Sequence, residues 1–389
     1  MNTILHWLLL AVAVGIGWAL GRWRLRQQSE EAVIDDEDTL RDRLQFLFTN
    51  YSDEAIESFL DTLAVSQETV NLHLSIGTHF REKGEVDRAT LIHQNLLARP
   101  ELSGRYSSQV TYELALDYLA AGLLDRAEAL LHELLGVRHY GAQAADQLVS
   151  IYQQERDWDK AVRVARTLVE VRDTADVRKQ LAHLLCEKSR ESDISASSVE
   201  ARKLLEQALE YDSGCVRASL MLADWCQQRH QWREAQQYLS QVFEQNPAFG
   251  PEAVVRLVRF AREAGNERKL RKRLYRFYQD HPSTTLLLNL VEQEERFNSV
   301  ETARSLLETE VTRRPSLRGM LRLIEMNDPE PRGEGAQSRL IGRVGDMLLE
   351  NKPTYQCTRC GFGGQQLHWL CPSCKHWETV EPLHGVDGE

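Results

Sequence analysis

A small residue, usually an alanine in a charged setting such as Asp-Arg-Ala or Arg-Glu-Ala, recurs through much of this 389-residue chain. The spacings between its positions are 34, 38, 34, 40, 34, 35 and 33 residues, and the positions are Ala55, Ala89, Ala127, Ala161, Ala201, Ala235, Leu270 and Ala303. Self-similarity at such a period is typical of repeat architectures, in which each unit buries one face against the next. The spacing therefore predicts stacked units rather than a chain folded around one core.

Glycine and proline keep the same phase as the recurring position. Five residues before it, where the turn between two helices needs a small residue, lie Gly84, Gly122 and Gly265. Twelve residues after it, where a helix must end, lie Pro247, Pro282 and Pro315. A helix pair of 34 residues is the tetratricopeptide repeat. We therefore predict an all-α fold, a tetratricopeptide-repeat superhelix of about eight units over residues 38–326, with loop insertions at Ser103–Ser108 and Glu191–Ser198 in the two longest spacings.

The first residues form an apolar stretch that fits a membrane span. Ile4–Leu20 contains no charged residue and would rise about 26 Å as a helix. Three arginines follow directly and place the C-terminal side in the cytoplasm by the positive-inside rule: Arg22, Arg24 and Arg26. A cleaved signal peptide would carry its charge before the apolar run. The pattern favours an uncleaved transmembrane anchor over residues 1–21 and a juxtamembrane linker over 22–37.

Four of the seven cysteines lie within 18 residues near the C-terminus, in two Cys-x-x-Cys pairs: Cys357, Cys360, Cys371 and Cys374. Two such pairs can face one ion tetrahedrally, and four sulfur ligands leave no open position for catalysis. This ligand set suits zinc and iron alike. We predict a structural metal-binding domain over residues 354–389, preceded by a linker and connecting helix over 327–353. Four aromatic residues are predicted to shield the site and dock it on the last repeat: Tyr355, Phe362, Trp369 and Trp377.

A basic run contrasts with the net charge of −11 of the whole chain. Between Arg256 and Arg276 there are nine basic residues and two acidic ones. The candidate contact with an anionic membrane surface or an acidic partner comprises Arg268, Lys269, Arg271, Lys272 and Arg273. The alternative is a solvated helix face without a partner.

Three kinds of function are consistent with these features: a membrane-tethered adaptor, an electron carrier that uses iron at the four cysteines, and a ribbon that binds nucleic acid. The acidic balance, 58 Asp and Glu against 47 Lys and Arg, disfavours nucleic acid. The chain contains no H-E-x-x-H, Walker or G-x-S-x-G motif, so we do not expect an enzyme. Repeat arrays bind peptides or proteins far more often than they catalyse, which favours the adaptor.

The order of these features resembles the lipopolysaccharide assembly protein B family. The most specific stretches are Arg81–Ala89, Ile92–Leu96 and Cys357–Trp377. The resemblance implies an inner-membrane protein of Gram-negative bacteria with a rubredoxin-type domain packed on the repeats. It implies that the four cysteines hold one iron ion. It also implies a role with the membrane AAA+ protease FtsH in degrading the deacetylase LpxC, together with contacts to lipopolysaccharide-synthesis and transport proteins.

Two departures from ordinary rubredoxin stand out. The gap between the cysteine pairs is much shorter, and Lys375 replaces the glycine usually found after the second pair. That glycine eases a tight turn whose amides point at sulfur, so the replacement puts electron-transfer tuning in doubt. A membrane-tethered electron carrier therefore stays as the alternative to the adaptor.

Overall fold

The computed structural model describes residues 69–100, 104–194, 198–327, 336–350, 352–386 and 388–389, together with residues 55, 58 and 66. These residues contain sixteen α-helices: α1 Val70–Glu82, α2 Val86–Leu97, α3 Gly104–Ala120, α4 Leu124–Leu134, α5 Gly141–Glu155, α6 Trp158–Val171, α7 Ala175–Ile194, α8 Ser198–Tyr211, α9 Val216–Gln228, α10 Trp232–Gln245, α11 Gly250–Glu263, α12 Glu267–Asp280, α13 Thr284–Phe297, α14 Val300–Arg313, α15 Leu317–Asn327 and α16 Ala336–Glu350. They divide into two compact units, residues 1–144 and 145–389.

The recurring position lies where two helices pack, as the periodicity predicts. Its side chain is at most 4% exposed at Ala89, Ala127, Ala161, Ala201, Ala235, Leu270 and Ala303. Ala55 is exposed, and its neighbours along the chain lie outside the described residues. The prediction of a mostly helical, tetratricopeptide-like chain is confirmed.

The turn five residues before the recurring position has a left-handed backbone in five units. Gly84, Gly122 and Gly265 have φ of 85°, 73° and 64°. Arg156 and His230 occupy the same position with φ of 61° and 58°, although residues with a Cβ rarely adopt this conformation. The glycine pattern therefore identified three of these turns and missed two.

The two longest spacings are accommodated mainly by longer helices. Helix α3 has 17 residues and begins at Gly104, so the loop insertion predicted at Ser103–Ser108 is wrong from Gly104 onward. Helix α7 has 20 residues and continues to Ile194, well into the second predicted insertion. The added residues continue the backbone hydrogen bonding of a helix, which needs no new loop.

The second unit has a core that extends from the helices into the C-terminal segment. Phe243 belongs to this core, and the partly buried Phe277 stacks on it with ring centroids 4.0 Å apart. Leu367 and Trp369 pack against the same cluster of buried side chains, although they come after α16 in the chain. This shared core fixes the C-terminal segment to the helices of its own unit.

A small antiparallel sheet follows α16. Its strands are β1 Tyr355–Cys357, β2 Gly363–Gly364 and β3 Val380–Pro382, in the order β2-β1-β3. Tyr355 pairs with Gly364 and Cys357 pairs with Val380. We call Tyr355–Pro382 the ribbon.

No helix within the described ranges is long and apolar enough to cross a membrane. The predicted anchor (1–21) and juxtamembrane linker (22–37) lie outside the described residues.

Candidate metal centre

The ribbon brings the four cysteines predicted as metal ligands together. Their sulfur atoms all lie within 4.8 Å of one another. The Cys357–Cys374 and Cys360–Cys371 sulfur pairs are 3.8 and 3.7 Å apart. A tetrahedral ion with metal–sulfur bonds of about 2.3 Å has edges of about 3.8 Å, whereas a disulfide is about 2.05 Å long. The four cysteines therefore form a metal-binding site, and the distances fit a bound ion.

Both Cys-x-x-Cys pairs end in the same tight turn. Gly361 has φ of 77° and donates its N–H to the Cys357 carbonyl at 3.0 Å. Lys375 has φ of 56° and donates its N–H to the Cys371 carbonyl, also at 3.0 Å. Lysine thus adopts the left-handed conformation usually reserved for glycine. The replacement of glycine at this position leaves the turn intact.

Backbone N–H groups in these turns point at sulfur and stabilise its negative charge. Burial alone would raise the pKa of Cys357, but the Thr379 hydroxyl and the N–H groups of Cys360 and Arg359 outweigh it and lower the pKa to about 6. At Cys371 burial dominates and raises the pKa to about 11. Four thiolates in one place repel one another, and a bound metal cation would supply the positive charge that holds them together.

The site is closed by its own ligands and lies at the surface of the ribbon. Cys357 and Cys371 are buried, Cys374 is half-buried and Cys360 is exposed. Phe362 and Val380 pack beside the cysteines. Because all four positions of a tetrahedral ion are filled by sulfur, no position remains for a substrate or an activated water.

Two tryptophans of the ribbon lie against the helices of the second unit. Trp377 stacks on His183 of α7 with centroids 4.9 Å apart and planes 5° apart. Trp369 stacks on Phe249, just before α11, at 5.3 Å. The Arg217 guanidinium of α9 lies 6.0 Å from both indole rings. Aromatic stacking and cation–π contacts of this kind stabilise a structure by more than the burial of apolar area alone.

A buried carboxylate completes this contact. Glu378, whose side chain is 5% exposed, lies 3.1 Å from the Lys179 ammonium and 3.9 Å from His183 Nε2. Burial would raise the pKa of Glu378, but His183 and Lys179 outweigh it and lower the pKa. Burial lowers the pKa of His183, so its imidazole is neutral at pH 7 and Lys179 carries the balancing charge. We call Lys179, His183, Arg217 and Phe249 the docking face.

Further hydrogen bonds join the C-terminal residues to later helices. Glu381 accepts from the Asn246 side chain at 3.1 Å. The Glu389 side chain accepts from the Thr285 hydroxyl at 2.6 Å and from Arg318 at 2.7 Å. The ribbon and the residues after it therefore contact several repeats from α7 to α15. The expectation that the four aromatic residues dock the metal site on the last repeat is wrong for the two tryptophans, because Trp377 stacks on His183 and Trp369 on Phe249, in earlier repeats.

The predicted basic contact lies on α12, in a helix pair and not in the ribbon. Arg268 lies over the Phe297 ring at 5.5 Å, Arg271 forms an ion pair with Glu294 at 3.3 Å, and Arg273 donates to Gln236 at 3.3 Å. Lys269 and Lys272 are exposed. The five cations therefore have different environments and do not form one uniform surface.

Sequence reasoning missed the polar half of the docking face. Lys179 and His183 lie in an ordinary amphipathic helix, and no local pattern marks them as partners of Glu378, which follows them by 199 and 195 positions. The one available signal was Trp377 beside Glu378 in a module too small to bury both by itself.

Comparison with known proteins agrees with this architecture. A family model described as Rubredoxin metal binding domain matches residues 355–382, and a Tetratricopeptide repeat model matches residues 199–259. A solved structure of MamA covers 48% of this chain and 96% of its own, at 18% identity and a TM-score of 0.35, a likeness too distant to bear on function.

Two curated relatives extend over nearly the whole chain. Lipopolysaccharide assembly protein B of Escherichia coli (strain K12) is 32% identical over 389 residues, 99% of each chain. The protein of the same name from Haemophilus influenzae is 31% identical over 391 residues, 97% of this chain and 98% of its own. Helical repeats, a four-cysteine ribbon and identity along the full length agree with one another. The chain belongs to the lipopolysaccharide assembly protein B family.

Proposed function

We propose that this protein is an inner-membrane adaptor that regulates lipopolysaccharide synthesis by promoting degradation of the deacetylase LpxC by the membrane protease FtsH. The observation that carries the proposal is the closed metal centre fixed to the helices. A site whose four positions are all sulfur leaves no position for a substrate or an activated water, so we assign partner binding to the surface of the helical repeats. The names of the relatives, which refer to lipopolysaccharide assembly, support the pathway.

The proposed mechanism needs no chemistry from the adaptor itself. A protein that binds both a protease and its substrate raises their effective concentration and so speeds the encounter. The predicted anchor over residues 1–21 would confine the repeats to the cytoplasmic face of the inner membrane, where a membrane protease and a soluble deacetylase can both be reached. The same surface could gather lipopolysaccharide-synthesis and transport proteins, and no nucleic acid is involved.

We further propose that the four cysteines hold one iron ion, with zinc as the other candidate. Cys357, Cys360, Cys371 and Cys374 offer an all-sulfur tetrahedron, which accepts either metal. When bound, the ion supplies positive charge that holds the two turns together.

The test is a pulse-chase of LpxC in cells that lack the protein and in cells that overproduce it. We expect a longer LpxC lifetime in the first and a shorter one in the second. A variant without residues 1–22 should fold and yet fail to shorten the lifetime at native abundance. Equal lifetimes in depleted and overproducing cells would show that the protein does not direct proteolysis of this enzyme.

A membrane-tethered electron carrier is the second candidate, and one observation favours it. The Cys360 sulfur is exposed, and backbone N–H groups point at the sulfurs, features that tune the potential of iron–sulfur sites. Zinc separates the two functions, because it has the same tetrahedral preference and no redox chemistry. A zinc-loaded protein should stimulate purified FtsH toward LpxC as well as the iron-loaded protein does. Loss of stimulation in the zinc form alone would favour the electron carrier.

A further inference from the structure

In the folded helices, some cations of the basic run form ion pairs with carboxylates and others do not. Arg256 and Arg259 pair with Asp224 at 3.2 and 3.1 Å. Arg262 pairs with Glu292 at 2.9 Å, and Arg271 pairs with Glu294 at 3.3 Å. These four arginines serve to join neighbouring helices, so they offer little charge to a partner.

Three other cations converge from two successive repeats. Lys269 and Arg273 lie one turn apart on α12, and Arg233 lies on α10, the second helix of the preceding pair. All three are exposed. None lies within 4.0 Å of a carboxylate oxygen in the part of the chain that the structure describes, and the hydrogen-bond partner of Arg273 is the neutral Gln236.

These cations line two adjoining depressions between α10 and α12, which we together call the trough. A cavity of 580 Å³ is lined by Arg233, Lys269 and Arg273 together with His230 and Trp232. A second cavity of 570 Å³ shares Arg233, Gln236 and Arg273 with the first. The first contains one carboxylate, Glu234, which lies 3.5 Å from Arg202, and the second contains another, Glu244. Three cations against two carboxylates, one of which already pairs with Arg202, leave the trough with a net positive charge in a chain that is acidic overall.

The remaining lining indicates what kind of anion fits. Side-chain amides run along the trough: Gln231, Gln236, Gln237, Gln241 and Asn266. An amide offers both donors and an acceptor, which matches the alternating N–H and C=O groups of a peptide backbone. A phosphate group accepts hydrogen bonds and would leave the amide oxygens without partners. The phosphates of a membrane surface would leave the same amide oxygens without partners.

We propose that this trough binds an extended, acidic segment of a partner polypeptide. Carboxylates of the segment would face Arg233, Lys269 and Arg273, and the side-chain amides would bond its backbone. The inference rests on the proposed adaptor function only in that the occupant is a protein. It differs from the contact predicted from the sequence, because Arg233 joins the site while Arg268 and Arg271 are engaged elsewhere.

The test measures binding of a fluorescent peptide to the full-length, metal-loaded protein in detergent. The peptide alternates glutamate with serine over about eight residues, which reach up to ~28 Å when extended. Each cation removed at a solvated site should weaken binding by up to about fivefold, so R233A and R273A should each do so and the double variant should multiply the losses. The matched control is K272A, which removes an equal charge from the same helix but does not line the trough. It should change binding less than twofold.

Three outcomes would overturn the proposal. Equal weakening by K272A would indicate diffuse attraction instead of a site. Undiminished binding of a peptide with glutamine in place of glutamate would remove the role of charge. Displacement of the peptide by inorganic phosphate, or by phosphatidylglycerol–phosphatidylethanolamine vesicles in a manner sensitive to R233A, would assign the trough to another ligand. Circular dichroism and metal content verify that each variant is folded.

A cellular arm separates this proposal from the adaptor function itself. If the R233A/R273A variant fails to bind the peptide and yet shortens the LpxC lifetime normally, the trough is not where the partner polypeptide binds, and the adaptor function stands. If the peptide binds the trough as expected but the LpxC lifetime does not depend on the protein, the trough remains a peptide-binding site and the proposed adaptor function is wrong.

Discussion

Removing Lys179 should destabilise the docking of the ribbon more than removing its ion-pair partner Glu378 does. Replacing Lys179 by Met leaves the Glu378 carboxylate 5% exposed beside a neutral imidazole. Replacing Glu378 by Gln leaves Lys179, which is 43% exposed and can be hydrated. Breaking a buried pair from one side costs about 3–5 kcal/mol. Because water reaches Lys179, we reduce this to about 1–3 kcal/mol for K179M and expect less than about 1 kcal/mol for E378Q.

Hydrogen exchange of the ribbon amides measures this difference directly. The fraction of amides exposed by local opening is set by the equilibrium constant of that opening, which depends exponentially on its free energy. K179M should therefore raise the open fraction by about 5- to 150-fold and E378Q by less than about fivefold. The double variant should resemble E378Q, because it buries no unpaired charge. K188M is the matched control: Lys188 lies on the same helix and pairs with Asp159, whose side chain is 62% exposed. Equal exchange in K179M and E378Q, or an equal effect of K188M, would refute the reasoning.

Three further predictions concern the metal, pH and the first unit. C371S should lose its metal and its ribbon protection while the helices persist, because metal binding is the folding energy of such modules; C226S, at a buried cysteine outside the site, should retain stoichiometric metal by elemental analysis. Burial lowers the pKa of His183 in the docked state, so the undocked imidazole takes up a proton at a higher pH than the docked one. Ribbon docking should therefore weaken as the pH falls below about 6.5. In H183Q, protection of the ribbon amides should change less between pH 7 and pH 6. D117N should destabilise the first unit by about 2–4 kcal/mol in urea unfolding, because the fully buried Asp117 accepts from Arg81 at 2.8 Å; an unchanged midpoint would contradict this.

Local patterns predicted the parts of the fold that local interactions form. The recurring alanine identified packing positions because every helix pair packs its two helices together at the same position. The cysteine spacing identified the metal site because two residues between ligands fix the turn that presents both sulfurs. Arg156 and His230 escaped notice because a left-handed turn residue is recognised in a sequence only when it is glycine.

Contacts between distant segments could not be predicted in the same way. Nothing near His183 indicates that an indole from the ribbon stacks on it. The basic run looked uniform in the sequence, yet Arg271 has a carboxylate partner and Lys269 faces a cavity. Which cation is neutralised depends on helices 20 to 40 positions away, and a single sequence does not specify those pairings.

The position of the docking face along the chain sets an order of events during synthesis. Glu378 follows Lys179 by 199 residues. At a rate of synthesis of about 5–20 residues per second, Lys179 is made roughly 10–40 s before the part of the ribbon that binds it. During that time the faces of His183 and Arg217 that the ribbon covers are open to solvent and to chaperones. Maturation then depends on whether a metal ion is at hand when the ribbon emerges. Cells short of metal should therefore accumulate chains whose repeats are folded but whose docking face stays uncovered, which makes metal supply a checkpoint on the amount of finished protein.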